Sequence, residues 1–154
     1  MSCFKNHKTV WENAFKALRP GGILELQDAH MPLQYIDSSG EGTAFKLWSE
    51  RFMAGALALG RDFTKVAKYK DVLKEVGFVN VGEKLYVWPM GTWARGQTMK
   101  TLGAWFREDF LSGLHGGNSI LLRGCGMSPE EVELFLVDVR NEVKSNKIHA
   151  YVQV

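Results

Sequence analysis

The run Ala17-Leu18-Arg19-Pro20-Gly21-Gly22-Ile23-Leu24-Glu25-Leu26-Gln27-Asp28 constrains the fold more than any other stretch of this chain. Just ahead of it, Val10, Trp11, Ala14, Phe15 and Leu18 recur at helical spacing with polar residues between them, which reads as an amphipathic helix over 6–18. Pro20 cannot continue a helical ladder and Gly21-Gly22 accepts a left-handed cap, so the helix must stop there. Ile23 to Asp28 then reads as a short strand. A helix feeding a strand through a tight turn is half of an α/β crossover, and the chain is expected to be α/β.

The rest of the chain extends the pattern. A loop is expected at 29–41, then a helix at 42–59 with Phe45, Leu47, Trp48, Phe52, Met53, Ala56 and Leu57 on its apolar side. A third helix runs from Thr64 to Val76, where Gly77 ends it. Residues 78–88 read as a strand closed by Pro89. A helical insert over 89–146 follows, with a helix at 97–113, a Gly-rich bend at 113–117 and a helical piece at 118–123. Its last helix opens at Ser128-Pro129-Glu130-Glu131, with a capping serine, a proline in the first turn and acids at the positive end of the helix dipole. Ile148-His149-Ala150-Tyr151-Val152-Gln153-Val154 alternates as a strand that can return beside the one ending at Trp88. The expected product is one domain over 1–154. It has a small three-stranded sheet (about 22–28, 78–88 and 148–153), flanking helices and the insert as a lid.

Composition excludes several classes. At 154 residues and 45% hydrophobic the chain can bury one substantial core, not two. A net charge of +2 is too small for an electrostatic nucleic-acid or membrane surface. No run approaches the roughly 20 apolar residues of a membrane span, and Met1-Ser2-Cys3-Phe4-Lys5 lacks a signal-peptide core, so a cytoplasmic setting is expected. Cys3 and Cys125 are isolated, which argues against a disulfide framework and a zinc site. No His-Glu-x-x-His helix and no nucleophile elbow occurs, so metalloenzyme and hydrolase readings fall away, and no metal is expected.

In this order the segments resemble the tail of a class I S-adenosylmethionine-dependent methyltransferase, most closely the fungal group associated with secondary metabolism. The run from Ala17 through Arg19-Pro20-Gly21-Gly22 to Asp28 looks like that family's Leu-Lys-Pro-Gly-Gly turn and fifth strand. Leu59-Gly60-Arg61-Asp62, Tyr69-Lys70, Gly77-Phe78, Val87-Trp88-Pro89, Ser128-Pro129-Glu130-Glu131-Val132 and Lys147-Ile148-His149-Ala150-Tyr151 continue the likeness across nearly the whole chain. One departure stands out: the family's Asn-Pro-Trp-Pro turn is replaced here by Gly91-Thr92-Trp93-Ala94-Arg95, which puts the transfer of its pocket roles in doubt.

The resemblance implies a truncated Rossmann-like fold. Its donor-binding parts, a Gly-rich loop after the first strand and an acid after the second, would precede Met1. No Gly-x-Gly-x-x-Gly occurs, and the glycines at 113–117 and 124–126 follow no strand, so no bound cofactor is expected. The strand at 23–27 would then have a bare edge, to be covered by the N-terminal helix or by a second copy, and a homodimer is expected.

Candidate site residues follow from the same frame. Alternation puts Glu25 and Gln27 on one strand face and Leu24, Leu26 and Asp28 on the other. The resemblance implies that Gln27, Asp28, Ala29 and His30 lie where cofactor and substrate meet. His30 is the first candidate for acid/base or hydrogen-bond catalysis because imidazole titrates near neutrality, with Asp28 and Arg107 beside it in the catalytic set. For substrate binding the candidates are Gln27, Met31, Trp48, Phe52, Tyr86, Trp88, Trp93, Trp105, Phe106 and Arg123. Aromatic walls of this kind suit a hydrophobic small molecule, and core packing is the competing account for each ring. His149 and Tyr151 read as structural, His7 and His115 as surface residues.

Two functions are in play. One is a methyltransferase-like protein without methyl transfer, repurposed as a cofactor-independent cyclase or isomerase of the pericyclase or Diels–Alderase type in fungal secondary metabolism. Such chemistry asks for shape, a hydrogen-bond donor and exclusion of water. The other is a non-catalytic or split-enzyme partner of a full-length methyltransferase.

Overall fold

The computed structural model describes Phe4 and residues 6–154; Cys3 and its expected lack of a role lie outside the described residues. The elements are α1 (His7–Ala17), β1 (His30–Tyr35), α2 (Ala44–Ala58), α3 (Tyr69–Val76), β2 (Val87–Pro89), α4 (Gln97–Gly113), α5 (Asn118–Gly124), α6 (Pro129–Lys144) and β3 (Ala150–Gln153). Short 3-10 turns sit at Ser38–Gly40, Phe63–Lys68 and Leu114–Gly117. The architecture is mixed α/β, with a three-stranded sheet in the order β1-β3-β2 and helices around it.

Local signals explain the helices. Asn6 caps α1, its side chain accepting from the Thr9 amide, and Gly77 ends α3 in the left-handed conformation. At α6 the capping box is complete: the Glu131 amide donates to Ser128 Oγ at 3.2 Å and the Ser128 amide to Glu131 Oε2 at 2.7 Å. Glu142 reaches across from α6 to accept from the Phe45 amide at 2.7 Å, satisfying a donor in the first turn of α2. Two pairs of glycines let backbones touch. A Cβ at Gly103 would run into the Gly91 carbonyl, and one at Gly124 would run into the backbone of Gly55 on α2.

Both ladders are antiparallel, pairing His30 with Gln153 and Val87 with Gln153, so β3 is the central strand. This corrects the expected strand boundaries. The expected loop at 29–41 contains β1. Pro32 argues against a strand there, but β1 is an edge, and an edge strand tolerates the missing amide. The expected strand at 22–28 forms no ladder, and of 78–88 only the end, from Tyr86, is paired. Residues 23–27 and 79–85 make no backbone–backbone hydrogen bond among the described residues. β3 meets Tyr86 at Val154, through bonds of 2.7 and 2.9 Å, and among the described residues no strand pairs with 23–27 or 79–85.

The apolar residues segregate into two clusters. The main core joins the sheet to α2, α5 and α6 through Phe45, Leu121, Leu136, Val139 and Ala150, all fully buried, with Trp48, Val143 and Val152 nearly so. A second cluster joins Trp11 of α1 to Val66 and Tyr69, with Leu24, Leu26 and Leu73 packed on it. Trp11 and Tyr69 meet edge to face at 4.7 Å. Thus α1 covers one face of the 23–28 segment, not its hydrogen-bonding edge.

Candidate functional site

The 22–29 segment runs without a bend from the Pro20 turn into β1, and 81–86 runs the same way into β2. Burial along the first alternates as expected for a strand: Leu24, Leu26 and Asp28 turn inward, Glu25 and Gln27 outward. Both segments line a groove of about 1440 Å³, together with Val66, Tyr69, Leu73 and Val154.

Five of the candidate residues meet here. Gln27, Asp28, His30, Tyr86 and Trp88 all line the groove. Asp28 accepts from the Tyr69 hydroxyl at 3.2 Å and from the Ala29 amide at 3.0 Å, which fixes its carboxylate. Gln27 donates to Glu25 at 2.8 Å on the opposite face. Lys84 stands over the Tyr86 ring at 4.8 Å, a cation over an aromatic face. Trp88 is half-buried and meets Phe106 edge to face at 5.8 Å.

The other candidates lie elsewhere. Trp48 is 5% exposed in the main core, stacked on Phe52 at 5.1 Å, and Met31 packs against the same core. Trp93 donates its indole N–H to the Ala150 carbonyl at 3.2 Å and lies beside His149. Arg107 is drawn to Glu108 at 3.1 Å and to the Asn146 side-chain carbonyl at 3.5 Å. Trp105 is 72% exposed, and Arg123 is exposed at the end of α5. Phe106 packs on the main core and meets Trp88 of the groove edge to face. His7, read as a surface residue, is half-buried against Trp11 and Tyr69.

Sequence reasoning missed Tyr69 as the partner of Asp28. Its signals were its place in the expected third helix and the Tyr69-Lys70 pair of the family likeness, and neither named a contact. It also missed Phe15, Leu73 and Phe78, which line the groove from the helix side and from the turn after α3.

Away from the groove, Asp37 and His149 tie the end of β1 to the start of β3 at 2.5 Å. The Ser39 hydroxyl first, and His149 second, hold the Asp37 carboxyl down at about 2. Burial, followed by the carboxylates of Glu50 and Glu142, pushes the Tyr35 hydroxyl up to about 12. Among the described residues, no group of three or more His, Cys, Asp or Glu side chains could hold a metal ion, and no helix is long and apolar enough to cross a membrane.

With this geometry established, comparison with known proteins is informative. The chain is 27% identical to the probable methyltransferase tdiE of Emericella nidulans, over 97% of this chain and 49% of that protein. It is 29% identical to the methyltransferase pytC of Aspergillus terreus, over 95% of this chain and 46% of that protein. Its sequence is methyltransferase-like and fungal in its likeness. The chain spans about half the length of the curated relatives it matches. No family model and no solved structure matches it. A small three-stranded sheet with flanking helices fits part of a Rossmann-like methyltransferase fold.

Proposed function

We propose that this chain is the acceptor-handling half of a fungal methyltransferase-like protein of secondary metabolism, and that S-adenosylmethionine is held by polypeptide outside residues 1–154. One observation carries the reading: the groove gathers His30, Asp28, Gln27, Tyr86 and Trp88 against apolar walls, yet no Gly-x-Gly-x-x-Gly cradle accompanies them in the sequence. Apolar walls interspersed with polar groups suit a hydrophobic acceptor with a few oxygens. By itself the chain is non-catalytic; it works as a split-enzyme partner or as half of a longer polypeptide.

The purified chain is therefore expected to give a flat calorimetric titration with S-adenosylmethionine and to bind an apolar aromatic probe such as anilinonaphthalene sulfonate. Trp88→Ala should weaken that probe severalfold. Tight binding of S-adenosylmethionine by the chain alone would overturn the reading.

A second reading, the cofactor-independent pericyclase-type cyclase or isomerase, is favoured by the Tyr69–Asp28 hydrogen bond beside His30, which gives a fixed polar corner in an apolar groove. In that case His30 is the hydrogen-bond donor to a substrate carbonyl, and Arg107, engaged by Glu108 and Asn146, takes no part. Cyclisation of a linear polyene precursor should slow at least tenfold in His30→Ala; an unchanged rate removes the role.

A further inference from the structure

The Gly124-Cys125-Gly126 bend takes no part in the groove, yet its surroundings are fixed from several sides. A Cβ at Gly124 would run into the backbone of Gly55, so α2 and the end of α5 meet backbone to backbone. The Cys125 thiol donates to the Arg51 carbonyl at 3.1 Å. Gly126 turns the chain in the left-handed region, and the Met127 amide bonds back to the Leu121 carbonyl at 3.3 Å. Three residues after its cap, Glu131 is held by the Ser128 amide. Cys125, Met127 and Glu131 are thus each anchored by a bond of their own. With Arg51, Leu134 and Phe135 they line a cavity of about 420 Å³, of which Glu131 and Leu134 are exposed members.

Arg51 is the cation of this cavity, and among the described residues it enters no ion pair. It is half-buried, its guanidinium standing over the Phe135 ring at 5.0 Å and its Nη1 reaching the Met127 sulfur at 3.8 Å. Five N–H donors therefore meet one weak acceptor. Packing over a ring steadies a guanidinium without consuming its donors. Glu131 does not complete the pairing, since its Oε2 accepts from the Ser128 amide at 2.7 Å.

We infer that this cavity binds a small monocarboxylate with an apolar body. The ligand's carboxylate supplies the acceptor that Arg51 lacks, as a bidentate pair. Its body lies on Phe135, Leu134 and Met127, a ring, a branched chain and an adaptable thioether. Glu131 sets the charge limit. A second negative charge on the ligand would meet that carboxylate across the same cavity, so dianions such as phosphate monoesters are disfavoured. The cavity and the groove share no lining residue, so this ligand is distinct from the acceptor proposed above.

The test is an NMR titration of the full chain, following backbone amides, with phenylacetate, its neutral analogue phenylacetamide and phenyl phosphate as probes. Phenylacetate should shift the amides of Arg51 and of residues 125–135, and should bind about tenfold or more tighter than phenylacetamide, the difference that one charge-assisted pair makes. Phenyl phosphate should bind more weakly than phenylacetate, and Glu131→Gln, which keeps the capping box, should close that gap. Arg51→Gln should abolish the preference for phenylacetate over phenylacetamide. Arg51→Lys, which keeps the charge and loses the fork, should retain part of it.

Equal binding of phenylacetate and phenylacetamide, shifts confined to residues outside the cavity, no saturable shift, or a preference untouched in Arg51→Gln overturns the site. Phenyl phosphate binding as tightly as phenylacetate overturns the assignment to a monoanion. The three probes on the unaltered chain decide the matter even where a variant does not fold. None of these readouts involves S-adenosylmethionine or a groove residue, so the site and the proposed function stand or fall separately.

Discussion

The two apolar clusters of this chain obey the same sequence rules and reach different ends. Around Leu136, Leu121 and Phe45 every element has a partner on each side it needs, and the side chains are sealed from water. Around Trp11 and Tyr69 the helical side is packed as well, but Leu24 and Leu26 rest on it from a segment with no ladder, and Ile23 and Val79 stand 86% and 82% exposed. Apolar patterning thus suffices to dock a segment by one face. Only a neighbouring strand can satisfy its backbone.

That contrast can be broken most directly with truncations. Leu136→Ala, in the sealed core, is expected to cost about 2–5 kcal/mol, whereas Leu26→Ala, already half-open to water, should cost under about 1 kcal/mol. Urea unfolding of the two variants measures both, and equal losses would erase the distinction. A smaller effect comes from adding a methyl group. Gly103→Ala forces a Cβ against the Gly91 carbonyl and should destabilise by about 1–3 kcal/mol, while Gly82→Ala, with open space around it, should stay within roughly 0.5 kcal/mol. A comparison of melting temperatures decides it.

The smallest effect is a titration. Asp37 sits at about 2 in the fold, below an ordinary carboxylate, so its contribution to stability is present above about pH 4 and is lost as the pH falls toward 2. Ser39→Ala should return the carboxyl toward its ordinary range, followed by carbon NMR of Asp37, and should flatten the acid limb of stability that this clasp between β1 and β3 contributes. A carboxyl that stays near 2 would assign the shift to His149 and the backbone amide of residue 39.

Much of this was legible in advance. The helices at 6–18, 42–59, 97–113 and from Ser128 appear within one or two residues of their expected ends, because caps, glycine stops and periodicity act within a turn of the chain. The facing of Leu24, Leu26 and Asp28 was legible too, as was the grouping of Gln27, Asp28 and His30. The wider aromatic set was not. Trp48, Phe52, Trp93 and Trp105 carry the same sequence signal as Tyr86 and Trp88, and spacing on a helix does not tell a core ring from a groove wall or a solvent-facing one. The fixing of Asp28 by Tyr69 spans 41 positions, beyond the reach of any local pattern.

By itself, then, the sequence determined where helices begin and end and which side of each extended segment is apolar, since both depend on neighbours a few residues away. Tertiary structure alone decided which extended segments became strands. A strand exists only when another strand accepts its hydrogen bonds, and here β3 gives that acceptance to His30–Tyr35 and Val87–Pro89 and not to 23–27 or 79–85.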